Sequence, residues 1–477
     1  MLLYNKSEVL SPTEIEMIHN TSMRLLANVG IEFPDEEALA VFKKHGFKAD
    51  GRRVFFSEEQ VMKALETAPA QFTIHARNPD RNVTIGDGED GEPVFAPAYG
   101  APFIVDPEVG KRAPTMEDYR NLARLAHALP NQDMSGHLLV EPGDVPPHTA
   151  HLHMLHANIV HSDKPFIGSA EGLAGARHTM EMASILFGQD ALAEQPVTLG
   201  LINPLSPLGY STDMIQALME YARWGQPLII ATLVMAGSTG PITLAGVLAQ
   251  QNAEILAGIT LAQLVNPGTP VVYGSTSTNL DMKTGALAIG SPELALVVVA
   301  TAQMARHYGL PSRSGGALTD ANYPDAQAGF ESMLSLLTTV NSGVDFVLHA
   351  GGILSSYLAF SYEKFVLDDE MCGLVRRFRR GIVVIPETLA YDVIAKVGPG
   401  GNFLAEPQTL ERCRSEFWQP TVCPREGLEA WLASGRPDAV QRARQRWQQL
   451  LAEHEDPPLE ATTARQLQAF VEEHGRA

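Results

Sequence analysis

Ahead of Pro93 the apolar positions repeat with a helical period and are punctuated by capping signals. Ser11-Pro12-Thr13-Glu14 has the form of a capping box with proline at the first helical position, and Gly30 is the matching stop. A second helix is predicted from about Asp35 to Gly46, and a third opens at Ser57 with Gln60 in the capping-box position. Short strands follow near Phe72–Ala76 and Val83–Ile85, and the run from Gly86 to Gly91 reads as a turn. As a calcium loop that run fails, because its acidic alternation is short and the distal glutamate is missing.

From Pro93 onward short apolar runs alternate with amphipathic stretches such as Thr115–Ala128 and Ala176–Phe187. The predicted strands are Val94–Ala96, Met134–Leu139, Pro165–Gly168, Val197–Ile202, Leu228–Val234, Val271–Gly274, Pro311–Gly315 and Val344–His349. Strands alternating with helices in this number are the signature of a (β/α)8 TIM barrel. A doubly wound sheet alternates in the same way, but no Gly-x-Gly-x-x-Gly follows the first strand. The expected fold is therefore α/β: an N-terminal α/β extension over 1–92, the barrel over 93–395, and a helical C-terminal segment over 396–477. The C-terminal segment is expected on the barrel exterior or on another subunit.

Composition removes several classes of function. With 35 Lys+Arg against 55 Asp+Glu the formal charge is −20, which opposes general binding to nucleic acid. Three cysteines, Cys372, Cys413 and Cys423, form no disulfide framework and no zinc knuckle. The most apolar long stretch, Ala286 to Ala305, contains Ser291-Pro292-Glu293, the start of a buried helix rather than a membrane span. The N-terminus has no apolar export region, so a cytoplasmic protein without membrane association is expected.

In a barrel the chemistry gathers where strands end. Those ends carry His137 and Glu141, Glu171, Asn203, Ser275 to Thr278, Gly315 to Asp320, and His349 onward. Paired glycines at Gly315-Gly316 and Gly351-Gly352 suit sharp turns or close approach of backbone to a ligand. His148, His151, His153, His156 and His161 cluster at helical spacing, but no His-Glu-x-x-His accompanies them, and no metal is assigned. The run Arg376, Arg377, Arg379 and Arg380 is either a solvated helix end or a docking patch for an acidic partner.

Several segments resemble the trimethylamine methyltransferase superfamily. They include Val272-Tyr273-Gly274-Ser275, Gly290-Ser291-Pro292-Glu293-Leu294, Gly309-Leu310-Pro311-Ser312, Thr319-Asp320-Ala321, Pro324-Asp325-Ala326-Gln327 and His161-Ser162-Asp163-Lys164-Pro165. The resemblance spans nearly the whole chain and implies transfer of a methyl group from an amine to Co(I) of a corrinoid on a separate protein. Aligning Asp320-Ala321 places Leu318 where the trimethylamine enzymes carry pyrrolysine. A leucine forms no covalent amine adduct, so the similarity is to the non-pyrrolysine branch. A quaternary amine, glycine betaine first among them, needs no such adduct because it leaves as a neutral tertiary amine.

On that reading Tyr357, Phe360, Tyr99 and Phe103 are candidate aromatic faces for the ammonium, and Arg313 and His349 are candidate donors to a carboxylate. His349 and Asp320 are the candidate catalytic groups. No cofactor is expected to be held permanently, since the Asp-x-His-x-x-Gly motif of corrinoid carriers is absent; the carrier would dock at the barrel mouth. A homo-oligomer is compatible with this size. The competing readings are a silent subunit that binds a betaine or the corrinoid protein, and a metal-dependent barrel hydrolase built on the histidines.

Overall fold

The structure, a computed structural model, describes residues 6–86 and 91–475. Residues 87–90, and with them the calcium-loop reading, lie outside the described residues. Seven parallel strands form one curled sheet: Phe166–Ile167, Thr198–Ile202, Leu228–Thr232, Val271–Ser275, Ser312–Gly315, Phe346–Leu348 and Val94–Phe95 in spatial order. Residues of the central strands are buried on both faces, as continuous apolar runs require.

The two edges of the sheet are joined by 133–136, and this closes an eight-membered (β/α) barrel. Asp133 N–H and Met134 N–H donate to the Phe95 carbonyl at 2.8 and 3.3 Å, Ser135 N–H to Pro165 at 2.9 Å, and Ile167 N–H to Gly136 at 3.1 Å. The strand expected over Met134–Leu139 is thus reduced to its first residues. Gly136 turns left-handed at φ 81°, and the Asn158 amide and Tyr119 hydroxyl take the Gly136 and His137 carbonyls. Side chains complete bonds that a ladder would otherwise make.

Local signals explain the helices. Thr115 caps Met116–Ala128 and Ser291 caps Pro292–His307, each accepting a backbone N–H from the first turn. The N-terminal helices Pro12–Asn28, Glu36–Lys44 and Glu58–Leu65 pack with the helix Leu244–Val265 in one core. The hairpin of Gln71–Ile74 and Val83–Gly86 plugs the N-terminal end of the barrel, where Phe72, Ile74 and Ile85 meet Ile167, Leu199, Ile229 and Phe346. A second small sheet, Ile31–Glu32, Arg53–Phe55 and Lys48–Asp50, has no counterpart in the hydrophobic pattern. The C-terminal helices Ala439–Glu453 and Ala461–His474 pack on the barrel exterior. No helix among the described residues is long and apolar enough to cross a membrane.

One buried ion pair ties the last two strand-end loops together. On the helix Tyr362–Arg379, Lys364 Nζ lies 2.5 Å from Asp368 Oδ1, with side chains 2% and 0% exposed. Lys364 also donates to the Ala317 carbonyl and to Ser332, while Asp368 accepts the Gly352 N–H at 2.8 Å. Removing one partner leaves a buried uncompensated charge. Asp368→Asn is therefore expected to lose ~3–5 kcal/mol in urea unfolding, and Lys364→Met/Asp368→Leu to lose less than the single change.

Candidate functional site

Register places Arg313 inside the barrel. Its backbone neighbours across the sheet are Gly274 on one side and Phe346 on the other, and registered residues share a face. Phe346 belongs to the interior cluster, and Gly274 presents no side chain to compete for the space. Arg313 is 2% exposed. Its Nη1 donates to the Ser275 carbonyl at 3.3 Å and its Nη2 faces His349 Nδ1 at 3.4 Å, while Nε is buried without a partner. Among the described residues no carboxylate is in ion-pair range of this guanidinium. Burial lowers its pKa to about 10, which leaves it charged at neutral pH.

His349 ends the eighth strand with a left-handed backbone, φ 61°. Its N–H donates to the Pro97 carbonyl and its carbonyl accepts from Ala317 N–H, so main-chain bonds on both sides impose that conformation. Nε2 lies 3.2 Å from the Tyr99 carbonyl and must donate to it, which makes Nδ1 the acceptor facing Arg313. Burial first, then Arg313, push the imidazole pKa down to about 3, so it is neutral across the physiological range.

Tyr357 stacks obliquely on His349, with ring centroids 4.8 Å apart, and its hydroxyl is a buried orphan. It sits in a strained loop: Ser355, Ser356 and Tyr357 are consecutive left-handed non-glycine residues at φ 52, 54 and 75°. Asp320 holds that loop. Its carboxylate accepts from Ser356 Oγ at 2.7 Å and from the Ile289 and Gly290 N–H groups at 2.8 and 2.9 Å. Tyr99 connects the group to His137, whose ring lies 6.5 Å away and whose two nitrogens are buried without partners. Burial pushes His137 down to about 3 as well.

The structure thus brings together Arg313, His349, Tyr357 and Tyr99, with Asp320 one layer behind. It does not bring Phe360 or Phe103 to them. Phe360 is fully buried against Gly352 and 5.3 Å from the Phe365 ring, and Lys111 Nζ covers the Phe103 ring at 3.5 Å. Leu318 is fully buried and folds back over Gly315. His137 was visible only as one of many strand-end groups, and nothing local marked its nitrogens as unpartnered. Of the helical histidines, His151 meets His178 at 2.8 Å and His161 meets Asp456 at 2.6 Å, so they face different partners. The basic run is largely engaged within the chain: Arg376 with Asp133 and Glu92, Arg377 with the Gly381 and Glu416 carbonyls, and Arg380 with Glu92.

This arrangement sets one buried positive charge beside two orphan polar groups, Arg313 Nε and the Tyr357 hydroxyl. A guanidinium so placed can pair with an anion. Residues 3–476 match the family model described as trimethylamine methyltransferase (MTTB). The chain is 49% identical to the glycine betaine methyltransferase of Desulfitobacterium hafniense (strain Y51), over 99% of this chain and 98% of that one. It is 36% identical to the proline betaine:corrinoid methyltransferase of Eubacterium limosum, over 86% and 85% of the two chains. The crystal structure of the Methanosarcina barkeri monomethylamine methyltransferase shares the fold, with a TM-score of 0.51 at 13% identity over 94% of this chain and 96% of that one.

The buried neutral imidazoles have a consequence for stability. The folded pKa of His349, about 3, lies below its ordinary 6.5, so the unfolded chain takes up the proton first. The contribution is complete above pH ~6.5 and is lost as pH falls from there towards 3. Unfolding free energy should drop from pH 7 to pH 5, and His349→Gln should make that drop smaller by up to ~2 kcal/mol in parallel urea titrations.

Proposed function

The chain belongs to the trimethylamine methyltransferase family, and from that premise we propose that it moves a methyl group from glycine betaine to Co(I) of a corrinoid carried by a separate protein. The observation that carries this reading is the buried Arg313 charge, which has no carboxylate beside it among the described residues. A substrate carboxylate supplies the missing counter-charge. Trimethylamine carries none.

The reaction asks little of acid–base groups. The Co(I) electron pair attacks one methyl carbon, the C–N bond breaks, and its electron pair stays on nitrogen, giving dimethylglycine with a neutral amine and an ionised carboxylate. No proton moves, in keeping with a site whose imidazoles are neutral. Leu318 supports the same conclusion, since a substrate with a built-in leaving group needs no covalent adduct at that position.

The chain's contribution is orientation in a dry site. Arg313 and the Tyr357 hydroxyl bind the carboxylate, and His349 fixes the guanidinium by accepting one of its N–H groups. The Tyr99 ring offers a face to the ammonium, which has no N–H to donate. Asp320 is a positioning residue, acting on Tyr357 through Ser356. With the N-terminal end plugged by the 71–86 hairpin, the methyl group is presented at the opposite end, where the corrinoid protein would dock.

Formation of methylcob(III)alamin from cob(I)alamin, followed by absorbance, tests this reading. Glycine betaine should support turnover and trimethylamine should not; equal turnover with trimethylamine would overturn it. Arg313→Met should raise the KM for glycine betaine ~10- to 100-fold, the equivalent of ~1.5–3 kcal/mol for a charged hydrogen-bonded contact. Tyr357→Phe should cost ~10-fold in kcat/KM if the hydroxyl reaches the carboxylate; an unchanged value would leave the ring face as its only role.

A further inference from the structure

Far from the barrel mouth, three helices end on one small cluster. His127 lies in the last turn of Met116–Ala128, His161 is the last residue of Pro147–His161, and His454 caps the C-terminus of Ala439–Glu453. The first two helices feed the second and third strand positions, so the cluster sits at the plugged, N-terminal end of the barrel. Between the histidines stands Asp456. Its Oδ1 is 2.6 Å from His161 Nδ1 and 3.0 Å from His454 Nε2.

We propose that His161, His454 and Asp456 form a binding site for one divalent transition ion of the zinc type, clipping the C-terminal segment to the barrel. The three ligand atoms lie within 4.8 Å of one another. Two imidazole nitrogens and one carboxylate oxygen are a donor set that such ions take, with water as the fourth ligand. Bonds of ~2.0–2.1 Å in a tetrahedron place ligands ~3.3 Å apart, so His161 Nδ1 and His454 Nε2 would move away from Asp456 Oδ1 by about 0.7 and about 0.3 Å to admit the ion. The imidazoles are held in place by burial, their side chains 9% and 4% exposed, while Asp456 at 46% leaves an approach from solvent.

The electrostatic balance at this point has two sides. Arg77 and Arg124 act on Asp456 and His161 respectively and oppose an added cation. The negative ends of three helices favour one, and their effect is greatest within the last turn, where all three histidines sit. Asp163, 3.4 Å from His127 Nδ1, adds a further negative charge close by. The ion would fix the connection between the last two helices, which Arg77 already grips through the Pro458 carbonyl at 3.1 Å. The role is structural, since no group of the proposed methyl-transfer site takes part.

The test uses the full chain, stripped of metal, titrated with Co2+ as an optical probe and compared in thermal melts. One Co2+ per chain should bind saturably, with visible absorption of a four-coordinate ion and a rise in Tm of ~2 °C or more. Asp456→Asn keeps an oxygen to accept both imidazole N–H groups and so retains the fold, but should weaken Co2+ at least ~10-fold and abolish the Tm rise. His454→Gln should do the same. Absence of a saturable site in the unaltered protein, or an unchanged Co2+ affinity and Tm rise in Asp456→Asn, would overturn the proposal, whether or not His454→Gln folds.

Discussion

A guanidinium inside a barrel with no carboxylate beside it costs several kcal/mol of folding free energy, because burial strips its hydration and no neighbouring side chain supplies the counter-charge. Arg313 is in that position, and much of the surrounding architecture serves to hold it there. Gly274 leaves room beside it, the Ser275 carbonyl and His349 Nδ1 take two of its donors, and no described residue takes Nε. An acidic neighbour would relieve the cost; in the proposed function the substrate carboxylate takes that part.

Strain and rigidity are divided between the two ends of the molecule. At the mouth, His349 and residues 355–357 occupy left-handed conformations, each costing ~1–3 kcal/mol, and bonds from neighbouring loops fix His349, Ser355 and Ser356. The Lys364–Asp368 pair ties the loops after the seventh and eighth strands to the helix behind them, so the strained backbone is not free to relax. At the opposite end an apolar hairpin fills the barrel, and the Asp133–Arg376 pair braces the narrow second strand position against Phe95.

Legibility followed the range of the interactions. Helices starting at Ser11, Ser57, Thr115 and Ser291 were readable because a cap and its recipient lie within one turn. Six of the barrel strands were readable as buried apolar runs, and Ser312–Gly315 from its place in the alternation. The second was overdrawn because its carbonyls are satisfied by Asn158 and Tyr119, far along the chain. The three-stranded sheet of the N-terminal region has strands too short to show alternation. At the site, Arg313 could be named from its place on the seventh strand and His349 from the end of the eighth, whereas an aromatic just past a strand has no readable facing. Tyr357 and Phe360 illustrate this: one stacks on His349 and the other is sealed in the core. The left-handed run at 355–357 carries no glycine to announce it. The pairing of His161 with Asp456 crosses most of the chain and leaves no local trace.

The central claim is that the buried guanidinium waits for a carboxylate, and binding without turnover tests it most directly. Calorimetric titration of the protein alone should give saturable binding of glycine betaine and much weaker binding of choline, which keeps the trimethylammonium group and replaces the carboxylate with a hydroxymethyl group. A charged hydrogen-bonded contact of ~1.5–3 kcal/mol corresponds to at least ~10-fold between the two. Equal affinity for choline and glycine betaine would contradict the account, because Arg313 would then contribute nothing to recognition.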